Sequence, residues 1–181
     1  MLLMLGLALL ATAVHGHFVK RSDGGCPAAS LLSDAEKVEA LDAHNIFRSA
    51  AQAANMAELV WDEDLARRAQ QLADTCVWEH ALLTECDSST RVGQNMYMIG
   101  GGTDFPAFDI LKYVTAWDDE KLDYDMEAKS CNTGKVCGHW TQVVWAKTLR
   151  IGCGIKKCDT VTKPSGTPAT NAVVFVCDYS P

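Results

Sequence analysis

All eight cysteines of this chain lie C-terminal to a leading apolar run, and that arrangement limits its fold more than any other feature. Leu2 to Val14 is almost unbroken hydrocarbon, too short for the roughly 20 residues a membrane helix needs. It runs into Val14-His15-Gly16, a small-residue cleavage pattern. Residues 1–16 therefore read as a signal peptide, although no basic residue precedes Leu2, and no later stretch is apolar enough to span a bilayer. An exported chain with an even cysteine count implies a disulfide framework. No CxxC pair occurs, which weighs against a cysteine-zinc site.

About 165 residues follow the leader, enough for one domain with its own core. The net charge of -7 works against binding a phosphate backbone, so nucleic acid is not an expected partner. None of the five asparagines opens an Asn-x-Ser/Thr acceptor for glycosylation.

Residues 17–32 read as a flexible entry through Gly24-Gly25-Cys26-Pro27, and a single domain is expected over 33–181. Ser33 followed by Glu36 forms a capping box that starts a helix running to about Ala54. Ala43, Ile46, Phe47, Ala50 and Ala54 fall at core spacing on it, with Leu41, His44, Asn45 and Arg48 on a second face. Asp62 is a natural N-cap for a second helix carrying Leu65, Ala69, Leu72 and Cys76 on one stripe, which brings His80 to the buried side if the helix persists. A polar, then glycine-rich stretch spans Thr84 to Thr103. Pro106 opens a third helix through Leu122, aligning Tyr113, Trp117, Glu120 and Tyr124. Strands are predicted at His139 to Trp145, Ile151 to Ile155 and Val173 to Tyr179, with Thr160 to Thr170 as the last hairpin loop. Helices followed by antiparallel strands imply an α+β layered domain.

Gly138-His139-Trp140-Thr141-Gln142-Val143-Val144-Trp145 resembles the GH(F/Y/W)TQxVW signature of the CAP superfamily of cysteine-rich secretory, antigen 5 and pathogenesis-related proteins (the SCP domain). The resemblance continues through Ala43-His44-Asn45-xx-Arg48, Leu59-Val60-Trp61-Asp62, Gly93-Gln94-Asn95-Met96-Tyr97 and Ile151-Gly152-Cys153. It implies a three-layer α-β-α sandwich around a central antiparallel sheet. It also implies disulfides Cys76–Cys158, Cys131–Cys137 and Cys153–Cys177, which leaves Cys26 and Cys86 to each other. Cys177-Asp178-Tyr179-Ser180-Pro181 resembles the start of a CxYxPxGN signature without its last residues, and no C-terminal cysteine-rich domain is expected.

The family's central cleft holds two histidines and two acids. The matching positions here are His80, Gln94, Glu120 and His139, so one acid is replaced by an amide. The resemblance implies weak binding of zinc or another divalent cation by His80 and His139. Gln94 accepts hydrogen bonds but no proton at neutral pH, and it brings no charge to a cation. His44 is read as structural, in an interior network with Asn45 and Arg48.

The resemblance thus points to a secreted, extracellular, non-enzymatic binding or signalling module with a sterol, a fatty acid or an extracellular protein as partner. The alternative is a peptidase-like, metal-assisted hydrolase with Glu120 as its base. Against it stand Gln94 and the lack of any HExxH or GxSxG motif. A venom or allergen-type toxin component is the third reading.

Overall fold

Ser33 and Glu36 exchange hydrogen bonds in the expected box, Glu36 N to Ser33 Oγ at 3.3 Å and Ser33 N to Glu36 Oε2 at 2.8 Å. From this start runs helix α1, Asp34–Ala50. A computed structural model of the chain describes residues 29–81 and 93–181. The expected leader, Cys26, Cys86 and the bridge between them lie outside the described residues. The last part of the expected flexible entry is held in place: Ser30 Oγ donates to Cys153 O at 2.8 Å, and Leu32 is buried.

Strand β1, Val60–Trp61, is followed by α2, Glu63–Asp74, and the edge strand β2, Gly93–Ile99. Helix α3, Ile110–Asp118, continues as a short 3-10 turn over Asp119–Asp123. The small hairpin of β3, Tyr124–Asp125, and β4, Ser130–Cys131, then leads to α4, Gly138–Val143. Strands β5, Arg150–Val161, and β6, Ala169–Ser180, close the chain. The main sheet has the order β1-β5-β6-β2. Its long pairings are antiparallel, and only the two-residue β1 runs parallel to β5.

Side chains alternate across the sheet, so each face collects its own core. Ile151, Cys153, Ile155, Phe175, Cys177 and Tyr179 pack with residues of α1 and α3, while Cys158, Val174, Val176 and Met96 pack with α2. These are the three layers expected. α2 approaches the sheet at backbone distance: a Cβ on Gly152 would lie 2.1 Å from Ala66 N, and one on Gly154 would lie 2.3 Å from Gln70 N. Gln70 also grips the outer flank of β5, accepting from Ile155 N at 3.0 Å and donating to Ile155 O at 2.9 Å.

Several sequence expectations change. α1 ends at Ala50, and its buried face is Ala40, Leu41, Ala43, His44 and Arg48, whereas Ile46 is 63% exposed. Polar side chains take the inner face because backbone acceptors and donors wait for them there. Nor do His44, Asn45 and Arg48 bond one another. His44 spans Ala40 O at 2.7 Å and Tyr179 Oη at 2.9 Å, while Asn45 holds both backbone groups of Leu59. The third helix starts at Ile110 under the Asp109 cap, not at Pro106. Of the residues read as a strand from His139 to Trp145, the first five lie in α4 and Val144 and Trp145 form its exit. β5 and β6 pair as far as Val161 and Ala169, which shortens the hairpin loop to 162–168. The three described disulfides are Cys76–Cys158, Cys131–Cys137 and Cys153–Cys177, as the resemblance implied.

Arg48 is the largest buried commitment of charge. Its guanidinium donates to four carbonyls: Nε and Nη2 to Ala57 O at 3.1 and 2.7 Å, Nη1 to Val143 O and Trp145 O at 2.9 Å each, and Nη2 to Thr148 O at 3.0 Å. Arg48→Met would leave the buried oxygens of Val143 and Thr148 and the part-buried ones of Ala57 and Trp145 without their donor. We expect a loss of about 3–5 kcal/mol, seen as a melting temperature lower by roughly 10 °C.

Two other buried groups titrate against each other. Burial, opposed by the Ala40 hydrogen bond and aided by the Arg48 charge, lowers His44 from 6.5 to about 4. Burial raises Asp178 from 3.8 to about 6, against the pull of the Gln94 hydrogen bond and the Arg68 charge. As pH falls from 6.5 towards 4, the unfolded chain takes up a proton at His44 that the native state refuses, so acid costs stability there. From about 6 down to 3.8 the native Asp178 takes its proton first, so acid adds stability. Each effect is worth roughly 3 kcal/mol. Thermal melts should therefore show Asp178→Asn more stable than the parent at pH 7.5, with an advantage of roughly 5–10 °C that closes on acidification. His44→Gln should show the opposite trend with pH relative to the parent.

Candidate functional site

The candidate site forms around the N-terminal end of β2, where Gln94 and Asn95, as consecutive strand residues, serve opposite faces of the sheet. On the α1/α3 face stands α4. A strand is the local preference of its Val- and Trp-rich sequence, yet strand propensity yields to context, and here both ends of a helix are held. At the start, Glu120 Oε2 accepts from His139 N at 2.9 Å and Trp140 N at 3.3 Å. At the end, Arg48 takes the carbonyls of Val143 and Trp145. Room for α4 comes from Gly93, where a Cβ would lie 1.9 Å from Gln142 Oε1.

The same Glu120 orients the imidazole: His139 Nδ1 lies 2.6 Å from Oε1. A carboxylate accepts, so Nδ1 donates and the lone pair of the neutral ring stands at Nε2. Asn95 Nδ2 donates to His139 O at 3.1 Å, and the Trp117 ring lies nearly parallel to the imidazole at 6.1 Å. Both oxygens of Glu120 are thus committed, one to the ring and one to the helix start.

His80 arrives differently from its expected place. α2 stops at Asp74, and Cys76 turns the chain with a positive φ of 52° while bonded to Cys158. The segment then runs beside the end of β5, with Trp78 N donating to Thr162 O at 2.8 Å. His80 is consequently an exposed loop residue, not part of the α2 stripe. Its Nδ1 lies 2.9 Å from Gln94 Oε1. Gln94 Nε2 donates to Asp178 Oδ1 at 2.9 Å and Ala81 O at 3.2 Å, and Arg68 Nε lies 3.9 Å from the other Asp178 oxygen.

The four expected cleft residues therefore meet as two pairs, His139 with Glu120 and His80 with Gln94. Among the described residues no three His, Cys, Asp or Glu side chains come close enough together to hold one ion. His80, Glu120 and His139 do not converge on one ligand position. Sequence reasoning missed Asp178, Asn95 and Arg68. The signal for Asp178 was the register, since Gln94 and Asp178 are direct cross-strand partners, but the residues of β2 read as a polar loop.

Comparison with known proteins agrees with this architecture. The model of the cysteine-rich secretory protein family, CAP, matches residues 41–179. Peptidase inhibitor 16 of Bos taurus is 40% identical over 155 residues, covering 84% of this chain and 31% of the bovine protein. Cysteine-rich secretory protein LCCL domain-containing 2 of Homo sapiens is 38% identical over 156 residues, covering 81% of this chain and 30% of the human protein. The chain thus spans about a third of the length of these curated relatives. Among solved structures, venom allergen-like protein 4 of Schistosoma mansoni matches with a TM-score of 0.63 and 26% identity, covering 83% of this chain and 90% of that one. Its sequence, its layered fold and these matches together place the chain in the cysteine-rich secretory protein (CAP) family.

Proposed function

We propose that this is a secreted, non-enzymatic binding module whose site is the pair of held imidazoles at the β2 edge, His139 on Glu120 and His80 on Gln94. The observation that carries the reading is the double engagement of Glu120. A general base must offer a lone pair to a water or substrate proton, whereas this carboxylate holds the His139 ring and caps α4. Gln94, at the other acidic position, accepts no proton at neutral pH. Each imidazole is held in fixed orientation by its own oxygen acceptor, an arrangement suited to binding rather than to moving protons.

A divalent transition cation such as zinc fits this donor set in part. Each histidine has its Nδ1 held from behind by an oxygen acceptor, the outer-sphere support that ligating histidines receive, and neither Nε2 has a partner among the described residues. An imidazole with no second protein ligand beside it falls far short of the three or four of a strong zinc site, so cation binding at either histidine is weak and completed by water. An extracellular protein is the partner class most worth testing, and the relatives named as peptidase inhibitors make a peptidase the first candidate. Sterol or fatty-acid binding rests on the family resemblance and is tested by pull-down with the mature domain.

Zinc at about tenfold over its Kd should raise the melting temperature by roughly 3–5 °C. The rise should be reduced in His80→Ala and in His139→Ala, each of which removes one Nε2 lone pair. An identical shift in all three proteins removes the cation from the reading. A general peptidase assay should show no hydrolysis with or without zinc. Zinc-dependent cleavage abolished by Glu120→Gln would overturn the non-enzymatic reading.

A further inference from the structure

At position 94 an amide rather than a carboxylate faces His80 Nδ1, yet a carboxylate stands one residue further along the same chain of hydrogen bonds. Asp178 is 2% exposed and lies opposite Gln94 across the β2–β6 ladder. Gln94 Nε2 reaches Asp178 Oδ1 at 2.9 Å and Ala81 O at 3.2 Å. An ionised carboxylate and a backbone carbonyl are both acceptors only, so the atom facing them must be the NH2 group. The amide oxygen is thereby turned to His80 Nδ1 at 2.9 Å. A carbonyl oxygen cannot donate, so Nδ1 carries the hydrogen and the lone pair of the neutral ring is left at Nε2. Arg68, itself buried on α2, stands 3.9 Å from the second Asp178 oxygen and favours its ionised form.

We propose that Asp178 is a positioning residue of the cleft, acting through Gln94 to hold His80 as the Nδ1–H tautomer with its Nε2 lone pair presented to a ligand. His139 reaches the same state through direct contact with Glu120, so both imidazoles present the same atom by different means. A carboxylate relayed by an amide supplies orientation without placing a negative charge beside the ring. The functional meaning of the inference rests on the reading of His80 as a cleft residue, but the tautomer does not.

The experiment is long-range 1H–15N correlation NMR of the 15N-labelled, disulfide-bonded protein at pH 7.5 with no ligand added, His80 being assigned by its absence from His80→Ala. A free neutral histidine favours Nε2–H, so a dominant Nδ1–H pattern at His80 is the expected and distinctive result. Asp178→Val and Gln94→Leu should each make Nδ1–H the minor form. His44, whose Nδ1 faces the Ala40 carbonyl, should keep its Nδ1–H pattern throughout and shows that the fold is intact. Asp178→Ala replaces the valine variant if that protein does not fold. An Nε2–H pattern at His80 in the parent protein overturns the proposal, as does an unchanged tautomer once Asp178 is replaced. Zinc melts on the same proteins separate the two readings: a zinc shift with an unchanged tautomer defeats the relay alone, and a changed tautomer without any zinc shift defeats cation binding alone.

Discussion

One buried guanidinium ties together segments that no regular element connects. Arg48 projects from α1 and gathers carbonyls from Ala57 before β1, from Val143 and Trp145 at the end of α4, and from Thr148 before β5. A charge so deeply placed is stabilised by dipoles, with no carboxylate among its hydrogen-bond partners. Its five bonds convert three loosely determined turns into one rigid junction. Asn45, one helical turn earlier, extends the junction by holding both backbone groups of Leu59, and β1 can then align with β5.

The junction matters because α4 is only six residues long and has weak helical preferences. It exists between two charged side chains, Glu120 at its amides and Arg48 at its carbonyls, an arrangement that also suits the helix dipole. Glu120 is therefore better described as part of the scaffold that presents His139 than as a reagent. On the other face of β2, Asp178 stands behind Gln94 in a comparable supporting position, and Arg68 from α2 stands behind Asp178. On the α1/α3 face, Asn95 links the His139 carbonyl to the sheet, and Tyr179 connects the same strand pair to His44.

Layering was legible in the order of helices and strands and the family in the GHWTQVVW run, and the three described disulfides followed from the family resemblance. What escaped were states decided by distant partners. Val143, Val144 and Trp145 favour a strand in isolation, and only the charges from Glu120 and Arg48 turn this stretch into a helix and its exit. Gly93 to Ile99 fell within the stretch from Thr84 to Thr103 read as polar, then glycine-rich, although Met96, Tyr97, Met98 and Ile99 complete a strand. His80 was placed by extending a helical stripe beyond Cys76, a residue whose left-handed backbone ends that periodicity. The cleft positions themselves came from family resemblance. Their grouping as two pairs depended on strand register, which the chain does not display locally.

The grip of Gln70 on Ile155 also bears on how copies of the chain can meet. A strand with one open flank offers unclaimed amides and carbonyls to any extended polypeptide. Here a glutamine side chain occupies both backbone groups of Ile155, and Ser30 occupies the carbonyl of Cys153, so that flank resembles a strand already paired. A neighbouring molecule arriving there finds these docking points taken, which disfavours stacking of one copy upon the next.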